Sequence, residues 1–195
     1  MRNQQKDMET IKSILWRGLI FPGHESCRLI SAGSEWHLEG TAVFSDEERP
    51  CQLDYQIICD EAWHTHFALV KGWVGEMFID LQIKTHASGR WWLNQVEQPA
   101  VAGCIDIDLN FSPSTNLLPI RRLGLAVGES AEVKAAWLRF PSFQLALLTQ
   151  QYRRLSEDTY RYESAGGQFV ADLKVSRSGL VIDYPGIWQA EAVSE

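Results

Sequence analysis

The side chains best placed to do chemistry lie between Gly103 and Leu123, where Asp106 and Asp108 alternate with apolar residues and a Pro/Ser/Asn turn leads to the pair Arg121-Arg122. Read as a strand, this stretch puts both aspartates on one face with Cβ atoms roughly 6.5 to 7 Å apart. Two carboxyls in that range can serve as acid and base on a glycosidic bond. The same carboxyls also suit an ion pair, because the planar fork of arginine grips a carboxylate through two hydrogen bonds. Adjacent positions cannot share a strand or helix face. Only one of Arg121 and Arg122 is therefore expected to be buried against Asp106 or Asp108, and such a pair could also line a pocket that holds a polar head group.

Other candidates are sparser. His64 and His66 read as sharing a strand face at i, i+2, a spacing that can offer two ligands to zinc. A third ligand is missing nearby unless His86 and Glu76 fold back in register, so no metal is assigned. The chain has no Gly-x-Ser-x-Gly elbow, His-Glu-x-x-His helix, phosphate-binding glycine loop or dinucleotide fingerprint. No catalytic residue and no cofactor are assigned. Eight tryptophans are unusual for this length, and each brings a large apolar face with one N–H donor. Neighbouring strand residues face opposite sides, so of Trp91 and Trp92 one should enter the core and the other lie outside or line a cavity. Aromatic rings at the mouth of a β-barrel or roll commonly hold a sugar or lipid.

The elements that must position these residues follow from period-two alternation. Cys51, Leu53, Tyr55, Ile57 and Cys59 oppose Gln52, Asp54, Gln56 and Asp60. Similar rows recur at Met77 to Ile83, Ile105 to Phe111 and Phe169 to Val175, and each reads as a strand with one dry and one wetter face. Turn signals such as Pro22-Gly23, Ser88-Gly89, Gly128-Glu129-Ser130 and Pro185-Gly186 separate them. Roughly a dozen strands result. Phe143 to Leu155 fits a helix or a strand and is assigned to a strand. Leu117 to Gly124 is expected to form a short helical turn entered with Asn116 near its N-cap. With no linker or composition break, residues 1–195 are expected to form a single all-β, mainly antiparallel domain.

Net charge is −7, and the only adjacent basic pairs are Arg121-Arg122 and Arg153-Arg154. That is no footprint for a phosphate backbone, so nucleic acid is excluded as an expected partner. The first residues lack an apolar h-region and no later segment is long enough to span a bilayer, which points to a cytoplasmic protein without a transmembrane segment. Cys27, Cys51, Cys59 and Cys104 form no Cys-x-x-Cys pair and are expected to be free, mostly buried thiols.

Cys104-Ile-Asp-Ile-Asp-Leu-Asn followed by Thr115-Asn-Leu-Leu-Pro-Ile-Arg-Arg-Leu123 resembles the signature of the bacterial putative glycolipid-binding family. Leu15-Trp16-Arg17, Tyr55 to Trp63, Gly89-Arg90-Trp91, Gln151-Tyr152, Tyr160 to Glu163 and Gly179 to Pro185 resemble the family's pattern in the same order. The resemblance implies a many-stranded β-roll or half-barrel with little helix, shaped like the carriers of lipoproteins and lipids, and it brings no catalytic residue. Family members often place an arginine soon after the tryptophan matching Trp63, where this chain has His64 and His66.

The resulting expectation is a non-enzymatic module for a small amphipathic molecule such as a glycolipid. Its polar head would lie near Asp108, Asn116, Arg121 and Arg122, with Trp91 among the aromatic contacts. The alternatives are a glycoside-directed hydrolase using Asp106 and Asp108, and a protein-interaction domain with a filled interior. No oligomeric state is assigned.

Overall fold

The computed structural model describes residues 8–194; the ends of the 1–195 domain expectation, residues 1–7 and Glu195, lie outside the described residues. Alternating sequence becomes strand almost throughout. The first half of the chain contributes β1 (Met8–Gly18), β2 (Gly23–Ala32), β3 (Glu35–Asp46), β4 (Arg49–Cys59), β5 (Thr65–Val74), β6 (Met77–Thr85), β7 (Trp91–Leu93) and β8 (Val96–Glu97). The second half contributes β9 (Asp106–Leu109), α1 (Leu117–Leu123), β10 (Ser130–Arg139), β11 (Gln144–Arg154), β12 (Thr159–Ser164), β13 (Phe169–Val175), β14 (Val181–Tyr184) and β15 (Trp188–Ser194). In β4 the residues Cys51, Leu53, Tyr55, Ile57 and Cys59 are all buried, as their alternation requires. The ambiguous Phe143 to Leu155 stretch is the strand β11.

All fifteen strands of the described residues belong to one sheet, ordered β8 to β1 and then β15 back to β9. Every pair is antiparallel except β9 with β10. A flat sheet of this size would be about 70 Å wide at ~4.8 Å per strand. Yet residues 98–105, which join its two outermost strands, reach at most about 30 Å. The sheet must therefore roll until its edges approach, and four bonds mark the seam. Thr65 N–H donates to Ile105 O (3.2 Å) and Gly103 N–H to Gly89 O (2.8 Å). Ile107 N–H donates to Thr65 Oγ1 (3.3 Å), and Trp91 Nε1–H donates to Cys104 O (3.0 Å).

The parallel β9–β10 pair needs a crossover, and that crossover runs through the roll. Residues 111–120 are buried without exception, so the segment acts as a plug along the interior. It begins as a 3-10 turn, Pro113–Asn116, capped by Ser112, whose Oγ accepts from Ser114 N–H at 3.1 Å. α1 follows, with Pro119 in its first turn where the missing N–H costs nothing. Gly124 ends the helix in the left-handed region, φ 54°, donating to Ile120 O. Seven residues are too few for a stable helix in water; burial of Leu117, Leu118 and Ile120 against the surrounding sheet holds it.

One expectation about faces fails at β9. Ile107, Leu109 and Asp106 are all buried and Asp108 is half-buried, while Ile105 is exposed. Asp106 is held by Arg122 of α1 and Asp108 by Gln150 on one side of the strand, while Ile107 and Leu109 on the other belong to the hydrophobic core. With both faces covered, alternation no longer distinguishes dry from wet.

Candidate functional site

Strand directions sort the turns into two mouths. At the first lie the β1–β2, β3–β4, β10–β11, β12–β13 and β14–β15 turns and the entrance of the plug. They surround a cavity of about 480 Å³, a size that suits a small organic ligand. Its walls are aromatic. Phe21 meets Trp188 edge-on with ring centroids 5.0 Å apart and lies 5.5 Å from Phe44, which in turn meets Phe140 at 5.3 Å. Across the cavity Tyr162, Phe169 and Tyr184 form a second set, with Tyr162–Phe169 centroids 5.9 Å apart. Ile20, at the rim, is 69% exposed.

Polar groups gather at the floor. Asp108 comes from β9, Asn116 and Ser112 from the entrance of the plug, and all three line the cavity. Asp108 Oδ2 accepts from Gln150 Nε2 at 2.6 Å, and the same amide nitrogen donates to Tyr162 Oη at 3.2 Å. Burial pushes the Asp108 carboxyl up to about 6, with the Gln150 hydrogen bond opposing the rise. Tyr152 Oη donates to Asn116 Oδ1 (2.8 Å), and Asn116 Nδ2 donates to Pro113 O (3.2 Å), which fixes the amide in the floor.

Behind Ser112 lies a carboxyl that the sequence pattern did not single out. Glu25 of β2 is fully buried, and its Oε1 accepts from Tyr55 Oη at 2.6 Å and Ser112 Oγ at 2.5 Å. Its Oε2 has no partner among the described residues. Burial pushes this carboxyl up to about 8, against the two hydrogen bonds, so it is mostly neutral at pH 7. A signal existed: Glu25 occupies the inward position in the row Glu25, Cys27, Leu29. Gln150 likewise alternates in phase with buried Tyr152.

Of the five expected ligand-binding residues, the fold brings Asp108 and Asn116 together in this cavity. Arg122 lies elsewhere, its Nε and Nη2 donating to Asp106 Oδ1 (3.0 Å) and Oδ2 (2.5 Å). Asp106 is 1% exposed, so the two aspartates do not face a common cleft: Asp108 lines the cavity and Asp106 is held by Arg122. Arg121 extends to the opposite mouth, its guanidinium 5.2 Å over the Trp63 ring. Trp91 is buried at the seam, while Trp92 is half-buried under Arg90. His64 precedes β5 rather than sharing its face with His66; it faces Asp60 at 3.3 Å, and His66 faces Glu35 at 3.9 Å. Among the described residues no three His, Cys, Asp or Glu side chains converge as a metal site.

The sequence model of the family described as putative glycolipid-binding matches residues 13–190. No curated protein matches. A crystal structure of a DUF1089 family protein from Pseudomonas aeruginosa is similar, with 37% identity and a TM-score of 0.74 over 82% of this chain and 93% of that one. A β-barrel-like protein of the domain of unknown function DUF1849 from Brucella abortus has 8% identity, a TM-score of 0.54, and coverage of 94% and 97% respectively. At that identity the likeness concerns the fold alone. No helix among the described residues is long and apolar enough to cross a membrane.

Proposed function

The chain belongs to the putative glycolipid-binding family, and from that premise we propose that it binds an amphipathic molecule with a neutral, hydroxylated head, such as a glycolipid, without transforming it. The observation that carries this reading is the aromatic cavity with its polar floor. The head would enter first, exchanging hydrogen bonds with Asp108, Asn116 and Ser112, while the chain lies against Phe21, Phe44, Phe169 and Trp188 toward the rim. Aromatic faces accept both sugar rings and acyl chains. Above pH 6 the Asp108 carboxylate accepts hydrogen bonds from hydroxyl groups and repels an anionic head. Four buried free thiols suit a reducing compartment, in keeping with the cytoplasmic location we propose.

The test compares an alkyl glucoside with a fatty acid of equal chain length, both below their micelle concentrations. Trp137 and Trp188 line the cavity, so binding should change tryptophan fluorescence, and a ligand that favours the folded state should raise the melting temperature. At pH 7.5 the glucoside is expected to bind and the fatty acid to bind weakly. Asp108→Asn, or lowering the pH below about 6, should admit the fatty acid. Absence of any response across a chain-length series would refute the proposal. Release of glucose that Asp108→Asn abolishes would replace it with the hydrolase reading.

A further inference from the structure

We propose that the opposite mouth of the roll is a second, separate binding site, built for the phosphate group of a small phosphorylated molecule. A cavity of about 790 Å³ opens there between the end of α1, the β11–β12 turn and the β13–β14 turn, and it shares no lining residue with the aromatic cavity. Arg121, Arg154 and Arg177 all line it. Among the described residues Arg17, Arg28, Arg49, Arg90, Arg122 and Arg161 each face a carboxylate within ion-pair distance. The three arginines of this cavity face none. In a chain of net charge −7, they gather three cations around one cavity, where Glu157 and Asp158 also line the wall without pairing with them among the described residues.

The cations are also oriented. Arg154 donates from Nε, Nη1 and Nη2 to three backbone carbonyls, Ser156 O (3.1 Å), Leu125 O (2.9 Å) and Glu157 O (2.8 Å), which fix the guanidinium without neutralising its charge and leave one N–H on each terminal nitrogen. Its guanidinium lies 5.6 Å over the Tyr160 ring, and that of Arg121 rests on Trp63. Both arginines are close enough to Tyr160 to oppose the rise that burial causes in its phenol. Tyr160 lines the same cavity. Glu157 and Asp158 line it too, and Asp158 Oδ1 accepts from Ser156 Oγ (2.7 Å) and Thr159 Oγ1 (3.1 Å). The three arginines outnumber the two acidic residues of the lining, and a phosphate monoester, which carries roughly −1.5 to −2 at pH 7, matches an arginine fork that faces no carboxylate.

Calorimetric titration of the full chain with inorganic phosphate and with glycerol 3-phosphate tests this, using acetate and chloride at matched ionic strength as controls. Saturable binding of both phosphates is expected, tighter for the monoester, with no comparable binding of acetate or chloride. Arg121→Ala and Arg177→Ala alter exposed residues and should each weaken phosphate binding about tenfold with little change in melting temperature. Arg153→Ala removes an exposed arginine that does not line the cavity and should leave binding unchanged. Phosphate heats indistinguishable from chloride, or equal weakening by all three variants, would overturn the proposal. Neither result depends on whether the aromatic cavity takes an alkyl glucoside.

Discussion

The two neighbouring arginines show how much one position matters. Arg122 is 15% exposed in its side chain and closes both oxygens of a carboxylate that is 1% exposed, whereas Arg121 is exposed and stacked. Removing one member of a buried pair leaves an uncompensated charge, so Arg122→Ala should cost about 3 to 5 kcal/mol. Arg121→Ala should cost no more than about 1 kcal/mol. Urea denaturation of both variants checks this, and equal losses would contradict the assignment. Glu25 supplies a pH signature. Its carboxyl titrates at about 8 when folded against an ordinary value of 4.5. Between these values the native state keeps a proton that the unfolded state has released, so stability falls as pH rises and levels off above about 8. Asp108 adds a fall of the same sign between 3.8 and about 6. Glu25→Gln should flatten the profile between roughly pH 5 and 8; an unchanged slope in denaturation midpoints would assign the dependence to other groups.

At the scale of elements, the plug decides what the roll can do. It fills the middle of the interior and leaves a cavity at each end, so the molecule is neither an empty half-barrel nor a solid one. Its docking depends on Gly179 of the β13–β14 turn. That residue has φ +93°, and a Cβ there would lie 2.8 Å from Leu117 Cδ1 and 3.3 Å from Arg121 Cδ. Gly186 offers a control, with φ +74° and nothing within 4 Å of the place a Cβ would take. Both alanine substitutions carry a backbone penalty of about 1 to 3 kcal/mol, but Gly179→Ala should lose more because it also presses on α1. Equal shifts in melting temperature would mean that the plug yields freely.

For the whole molecule, the last strand is central rather than peripheral. β15 pairs with β1 on one side and β14 on the other, joining the two halves of the sheet through residues at opposite ends of the chain. Trp188, at its start, is 3% exposed and belongs to the single core cluster. Deleting residues 188–194 should therefore abolish cooperative unfolding of the entire chain rather than fray one edge, as circular dichroism during urea denaturation would reveal. A truncated chain that still melts in one sharp transition would show that the halves hold together without β15. Closure across such sequence separation also implies slow folding, because loop entropy must be lost before the pairing contributes.

Local pattern determined what is local. The alternation of Cys51 to Cys59 marks β4, the turn residues mark strand ends, and Asn116 with Gly124 bounds α1. That one of two adjacent arginines would be buried against Asp106 or Asp108 was legible, because neighbours must diverge; that it is Arg122 with Asp106 was decided by the fold. Tertiary structure alone decided that Asp108 meets Gln150 and Tyr162, that Trp91 secures the seam, that Arg121 belongs to the far mouth, and that Glu25 stands behind the cavity floor. The reason is physical: side-chain direction along a strand repeats every two residues and can be read from neighbours, whereas the rolling of the sheet and the threading of the plug depend on contacts between distant segments that no short-range pattern encodes.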